Sequence, residues 1–380
     1  MAFCHATWIC CLTKESHLWF PLPTNRKAVG CKWVFQIKEN TDGSINKYKA
    51  RLVAKGFHQV HGFDFHETFS LVVKPITIRL IITLALTSNW ELFQLDVNNA
   101  FLNGLLDETV YIVQPPGFEV EDKSLVCKLN KALYGLKQAP RQWFDRLKIT
   151  LILFGFQASK CDPSLFIYKC QAHTIFLIVY VDDIILTDSS SSLIQQIITQ
   201  FHSAFSLKQL GQLDYFLGIK IKYLPDRSLL MTQSKYIRDL IHRTLMAEAH
   251  SIFSPMASSS KLSKTGGDLF QDPTLYRSIV GALQYATLTR PKIAFVVNKV
   301  CQFMANPLDT HRGVVKRILR YLKGILSYGF LMKLAAIGKP LWITTMCDAD
   351  WAFDVDNRRS TSGSGVFLGP NLISWWSRKQ

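Results

Sequence analysis

Apolar residues change their spacing several times along the chain, and each change predicts a new element. Thr174 to Val181 and Ile184 to Thr187 are β-branched apolar runs of strand length, so they predict two strands. The pair Asp182-Asp183 lies between them and is expected to form the turn of a hairpin. Upstream, after a β-rich start broken by Pro21 and Pro23, Trp33, Val34, Phe35 and Ile37 predict a strand. Thr41-Asp42-Gly43-Ser44 predicts a hairpin turn, and Ile45 to Val53 the return strand. Ile78, Ile81, Ile82 and Ala85 recur at helical spacing and predict a buried helix over Ile76 to Thr87. Trp90 to Val97 predicts a strand whose end carries Asp96, with Asn98 to Gly104 turning away from it. A helix is expected to start near Pro140, because proline suits a first helical turn. Further on, Leu193 to Phe205 predicts a helix. Leu213 to Tyr223 predicts a strand hinging on Gly218, and Ser228 to Thr232 its return. Helical spacing then dominates over Lys235 to Met246, Leu275 to Leu288, Lys292 to Met304 and Asp309 to Lys323, with Ser254 to Asp272 as a linker. Strands return at Leu341 to Cys347, Gly363 to Leu368 and Leu372 to Trp376. Residues 1 to 17 carry no usable periodicity, and no internal repeat is visible.

Composition narrows the class. Hydrophobic content of 48% and charged content of 19% describe a globular chain, and 380 residues allow two or three domains. A formal charge of +16 favours a polyanionic partner, nucleic acid before an anionic membrane. Eight Lys or Arg fall between Arg26 and Lys55, against Glu39 and Asp42. That basic hairpin either reaches over a phosphate chain or is an edge guarded by lysines. The helix from Asp309 carries Arg312, Lys316 and Arg320 on one face, which suits a phosphate backbone or a solvated surface. Apolar runs such as Ile76 to Leu86 are too short to span a membrane, and Ala2 to Leu12 lacks the features of a signal peptide. The expected location is intracellular, cytoplasmic or nuclear. Nine cysteines without repeated spacing suit free thiols rather than a disulfide framework or zinc ribbon. His58, His61 and His66 have no cysteine nearby to complete a zinc site and are expected to be plain loop histidines.

Two adjacent carboxylates are a poor choice for a tight turn, which favours Asn-Gly or Asp-Gly. They also repel unless a cation lies between them. A local rule broken without structural gain marks a candidate functional site. Asp96, at a strand end beside a turn, either caps that turn or supplies a third carboxylate. Lys137, bracketed by Gly135 and Pro140, and Arg141 lie at an expected helix N-terminus, a setting that suits phosphate. Tyr134, Trp143 and Phe144 nearby are either core residues or stacking platforms.

From about Pro21 to Gln380 the chain resembles the reverse transcriptase region of copia-type LTR retrotransposon polyproteins. The resemblance rests on an ordered series of motifs. They are Lys32-Trp33-Val34-Phe35, Tyr48 to Phe57, Glu67-Thr68-Phe69-Ser70, Asp96-Val97 with Ala100 to Gly104, Leu133 to Trp143, and Tyr180-Val181-Asp182-Asp183. Tyr215 to Ile219, Lys316 to Gly324, Asp348 to Ala352 and Arg358 to Gly363 complete it.

The resemblance implies an α+β fold, a right-hand polymerase followed by helices and a partial RNase H-like sheet. Fingers would span 18–75 and 106–140, palm 76–105 and 141–233, thumb and connection helices 234–330, and a truncated RNase H-like segment 340–380. Residues 1–17 stay unassigned. Asp96, Asp182 and Asp183 would be the catalytic acids. Asp96 and Asp182 would hold two Mg²⁺ ions, with Mn²⁺ as a substitute, about 3.5–4 Å apart. Arg51 and Lys55 would grip the incoming dNTP, Phe101 would exclude its 2′ hydroxyl, and Tyr134 would line the same pocket. Lys137 and Arg141, with Leu217-Gly218 at the primer end, would contact nucleic acid. The implied partners are an RNA template, a DNA primer or duplex and dNTPs, with no membrane. Leu71 stands where the family has proline, and no protease or integrase region precedes the polymerase. Asp348 matches the first RNase H carboxylate, whereas the positions of the others lie beyond Gln380. RNase H activity is therefore not expected, and Asp350, Asp354 and Asp356 are expected to be solvated loop acids. The alternative reading is a catalytically inactive, nucleic-acid-binding remnant of a decayed element.

Overall fold

Both strands expected around the acidic pair are present in the computed structural model, which describes residues 19–39, 44–170, 173–188, 190–257, 261–335 and 340–380. The turn expected at Thr41-Asp42-Gly43 and the segment 1–17 lie outside those residues. The chain packs as two units. One combines Met1–Val73, as far as described, with Phe93–Gly211; the other combines Lys74–Leu92 with Gln212–Gln380. The palm expected over 76–105 and 141–233 is thus shared between them.

In the first unit, β1 (Trp19–Pro21), β5 (Leu105–Ile112) and β6 (Leu125–Lys131) form a sheet in the order β1-β6-β5, while β2 (Cys31–Glu39) and β3 (Ile45–Ala54) pair as a ribbon. Val29, Leu52, Ala54, Val110, Ile112, Leu129 and Leu133 close one core beneath them. A larger sheet uses β4 (Glu91–Val97), β7 (Gln157–Ala158), β8 (Leu165–Cys170), β9 (His173–Tyr180), β10 (Asp183–Asp188) and β11 (Leu207–Gln212), ordered β11-β4-β10-β9-β8-β7. Helices α2 (Ala139–Leu153) and α3 (Ser191–Ala204) bury Trp143, Leu147, Leu151, Ile194, Ile198 and Phe201 in one apolar cluster with Leu95, Leu177, Val179, Ile184 and Leu186 of its strands. Proline at the start of α2 and the Ser190 cap on Leu193 N set both helix origins. Leu71, the departure from the family pattern, packs against this same cluster.

The second unit holds α1 (Pro75–Thr87) and the sheet of β12 (Tyr215–Phe216), β13 (Ile219–Tyr223), β14 (Leu229–Thr232) and β15 (Phe330–Met332). It also holds helices α4 (Ser234–Arg243), α5 (Pro273–Ala286), α6 (Ala294–Cys301) and α7 (Asp309–Gly324). A second sheet comprises β16 (Ile343–Ala349), β17 (Thr361–Leu368) and β18 (Asn371–Lys379). Ile237, Tyr276, Leu283, Val297, Val315 and Leu319 are the centre of the helical core. Arg79 on α1 is buried, and among the described residues no carboxylate pairs with it. Its Nε donates to Ile373 O at 2.8 Å and its guanidinium lies 3.9 Å from the Trp375 ring centroid, and burial lowers it to about 10. Among the described residues no helix is long and apolar enough to cross a membrane.

Three expectations need correction. The cationic face of α7 is largely consumed internally: Arg312 is buried beside Phe270, Arg320 Nε donates to His250 O, and Lys323 Nζ donates to Ala247 O and Ala249 O. Only Lys316 of the spaced set stays exposed. Asp354 is not a solvated acid. It is 4% exposed, and although burial works against its charge, Lys379 at 2.6 Å and the amides of Asp356 and Asn357 pull the carboxyl below the usual range. Asp350 is half-buried and accepts from Thr361 N. Strands β5, β6 and β8 had no clear alternation to announce them, since β5 carries Asp107-Glu108 in its middle and β6 a lysine.

Candidate active site

The acidic pair sits one residue off its expected place. Asp183 pairs with Tyr180, so the two-residue turn is Val181-Asp182 and Asp183 already begins β10. Val181 takes a φ of +55°, an outlier for a β-branched residue that costs on the order of 1–3 kcal/mol. Trp143 on α2 holds that turn, its indole N–H donating to Val181 O at 2.7 Å. β4 is the sheet neighbour of β10, and Val97 N donates to Asp182 O at 2.9 Å, which brings the strand end bearing Asp96 beside the turn.

Burial chiefly, and then the nearby Asp96, push the Asp182 carboxyl up, although its own amide, Lys49 and Arg51 pull the other way. Asp183 is pushed up to about 6, by burial first and then by Asp182, with Asp96 adding to it. Gln94 Nε2 donates to Asp183 Oδ1 at 3.3 Å and offsets part of that shift. The Asp183 carboxyl therefore binds protons more tightly folded than unfolded. Its favourable contribution is complete below about pH 4 and is lost as pH rises through about 6. Asp183→Asn should remove that dependence and stabilise the metal-free protein at pH 8 by about 1 kcal/mol, discounted for solvent screening. Denaturant melts at pH 5 and pH 8 measure it; equal pH slopes for variant and wild type would refute it.

A basic and aromatic wall faces these acids. On the β2–β3 ribbon, Lys49 and Arg51 lie two residues apart and so share a face. The Arg51 guanidinium lies 5.4 Å from the Tyr134 ring centroid, and the Phe101 and Tyr134 rings are 4.9 Å apart. Tyr134 is itself raised, by burial first, while Arg51 lowers it and Asp182 and Asp96 raise it. Phe101 rides on the turn Ala100–Asn103, entered through Asn99 at φ +50°. The structure thus brings Asp96, Asp182, Asp183, Arg51, Tyr134 and Phe101 together. Lys55 lies past the end of β3, where its charge acts on Cys31. Lys49 and Gln94 were missed, yet the two-residue repeat of a strand relates them to Arg51 and Asp96.

The remaining expected residues have local settings of their own. Lys137 is exposed, with Nζ 4.6 Å from the Phe65 ring centroid. Arg141 pairs with Glu67 and, at 3.6 Å, with Asp145. In the second unit Leu217 and Gly218 form a two-residue turn with φ of +49° and +68°, and the Tyr285 hydroxyl donates to Leu217 O. Asp348 lies within β16 rather than after it and accepts from Ala349 N. Among the described residues no three His, Cys, Asp or Glu side chains could hold a metal ion by themselves.

Carboxylates on two neighbouring strands, faced by a basic ribbon, agree with what comparison finds. Residues 15–258 match the family model described as reverse transcriptase (RNA-dependent DNA polymerase). The chain belongs to this family. It is 46% identical over 369 residues to the retrovirus-related Pol polyprotein from transposon RE1 of Arabidopsis thaliana, covering 96% of this chain and 25% of that protein. Against the retrovirus-related Pol polyprotein from transposon TNT 1-94 of Nicotiana tabacum, identity is 40% over 375 residues, with 94% and 28% covered. A putative transposon Ty5-1 protein of Saccharomyces cerevisiae is 31% identical over 287 residues, which cover 75% of this chain and 92% of that protein. The reverse transcriptase domain is thus of the copia-type Pol kind, and the chain spans about a quarter of the length of the two plant polyproteins. The family implies template and primer binding, and its members generally use divalent metals.

Proposed function

We propose that the chain extends a DNA primer on an RNA or DNA template by two-metal nucleotidyl transfer. The observation that carries this reading is the convergence of Asp96, Asp182 and Asp183 on one side with Lys49, Arg51, Tyr134 and Phe101 on the other. In this reading 18–75 and 106–140 are fingers, and 76–105 and 141–233 are palm. Residues 234–330 are thumb and connection, and 340–380 an RNase H-like segment with Asp348 as its first acid.

The donor set fits Mg²⁺. Asp96 and Asp182 offer hard anionic oxygens, and the upward shifts of Asp182 and Asp183 reflect burial and mutual repulsion that a divalent cation relieves. Two carboxylates suffice, because Mg²⁺ keeps waters and substrate phosphates in its shell. When bound, the metal activates the primer 3′ hydroxyl and neutralises charge on the triphosphate. Arg51, hydrogen-bonded to Tyr134, binds triphosphate oxygens together with Lys49, both of whose charges act on Asp182. Lys55 is the outer member of that grip. Tyr134 orients Arg51 and backs Phe101, which lies against the sugar. Asp183 acts as a supporting charge. Lys137, Arg141, Leu217 and Gly218 are positions for template and primer contact.

Primer extension on an RNA template with dNTPs and Mg²⁺ tests the reading. Tight template-primer binding without extension would support the nucleic-acid-binding remnant instead. Phe101→Ala should raise ribonucleotide relative to deoxynucleotide incorporation by about tenfold or more, as expected when a steric block is removed. Competition between rNTP and dNTP in single-turnover extension measures it, and an unchanged ratio would take Phe101 out of the sugar pocket.

A further inference from the structure

Arg51 stands on β3, whereas Tyr134 stands on the turn 133–138, which joins β6 to α2 and belongs to no strand. Hydrogen bonds three residues apart fasten that turn to the chain leaving β3. Ala54 N donates to Tyr134 O at 2.7 Å, and Lys137 N donates to Gln59 Oε1 at 2.8 Å. Gln59 follows β3 through the short turn Gly56–His58, so both bonds start from the strand that carries Arg51.

The Gln59 side chain is one member of a buried relay. Its Nε2 donates to Gln138 Oε1 at 3.0 Å, and Gln138 Nε2 donates to Asp64 O at 2.8 Å. Asp64 is fixed in turn by Val60 N, which donates to its carboxylate at 2.8 Å. Gln59 is 5% exposed and Gln138 is fully enclosed, so neither can touch a substrate. Each amide presents its oxygen to one donor and its nitrogen to one acceptor. The relay therefore has a single sense, because turning the Gln59 amide over would set N–H against N–H at Lys137. A buried polar chain adds little net stability over apolar packing, yet it admits one geometry and penalises the others. What it fixes here is the setting of Tyr134 against Arg51, which are hydrogen-bonded, with the guanidinium 5.4 Å from the ring centroid.

We propose that Gln59 is a positioning residue for the incoming triphosphate, a role that rests on the polymerase reading. It holds the Tyr134 turn on the end of β3, so that Arg51 is aimed before the nucleotide arrives. A guanidinium aimed at phosphate contributes equally in the ground and transition states. A loosened Arg51 therefore costs nucleotide affinity and leaves the maximal rate in place.

The test is single-turnover extension by the full chain over a range of dNTP concentrations, with filter binding of template-primer beside it. Gln59→Met keeps the volume and removes both hydrogen bonds of the side chain. The dNTP dissociation constant should rise about tenfold or more, while the maximal rate changes less than about threefold and template-primer affinity less than about twofold. Gln59→Glu keeps an oxygen for Lys137 N in either protonation state, and should hold the dNTP constant within about threefold of wild type. Gln59→Asn keeps the amide but is one methylene short of Lys137 N. It should repeat the loss, and it replaces Gln59→Met where that variant does not fold. Wild-type dNTP affinity in Gln59→Met or in Gln59→Asn overturns the proposal. So does a parallel fall of affinity, rate and template-primer binding, or an equal loss in Gln59→Glu, since either marks a general loosening of the fold. If wild type extends no primer, the polymerase reading falls and the role of Gln59 with it. If wild type extends and the variants match it, only the role of Gln59 falls.

Discussion

Asp182→Asn is expected to lower primer extension at least about 10³-fold, equivalent to roughly 4 kcal/mol of transition-state stabilisation. The side chain keeps its size, and the turn keeps its support, because Trp143 donates to the backbone of Val181 and Val97 to the backbone of Asp182. What is lost is one hard anionic ligand at the point where Asp96, Asp182 and Asp183 repel one another. Template-primer affinity and its salt dependence should persist, since binding rests on Lys and Arg contacts to phosphate. Single-turnover extension beside filter binding at two salt concentrations separates the two effects. Extension by Asp182→Asn at the wild-type rate would move the catalytic site elsewhere. Loss of binding in parallel with extension would mean that the variant had merely disturbed the fold.

The largest stability effect should come from Gly135→Ala. Gly135 has φ +89°, and a Cβ there would lie 2.1 Å from Ala54 O and 2.8 Å from Val53 Cγ1. Neither can yield, because Ala54 N donates to Tyr134 O at 2.7 Å across the same junction. That junction lays Tyr134 beside the end of β3 and so sets its ring under Arg51. A loss of about 3 kcal/mol or more is expected. Gly62→Ala is the control, with a similar φ of +84° but open space around the added carbon, and should cost about 1 kcal/mol. Equal denaturation midpoints for the two variants would show that conformation alone, not the close approach, governs Gly135.

Much of this was legible in the chain. The buried helix α1 and the helices of the second unit follow from helical spacing, the β9–β10 hairpin from two β-branched apolar runs of strand length, and the start of α2 from Pro140, because all three signals are local properties of the chain. The motif series points to the family, and Asp182-Asp183 stand out by the local rule they break, whereas Asp96 is marked only by its place at a strand end and by the resemblance.

Contacts between distant segments were decided only by the tertiary structure. That Asp183 starts a strand while Val181 takes the strained turn position depends on Trp143, which lies 38 residues away in sequence. Lys49 rather than Lys55 stands with Arg51 before Asp182, because strand alternation and the end of β3 set which side chains face the site. The cations of α7 and the acid Asp354 read as surface charges in sequence, yet packing turned them into donors and acceptors for distant backbone and side-chain groups. Spacing reports which face of its own element a residue occupies. It carries no information on what the rest of the chain brings to that face, and here that decides whether a charge meets solvent, a partner or a substrate.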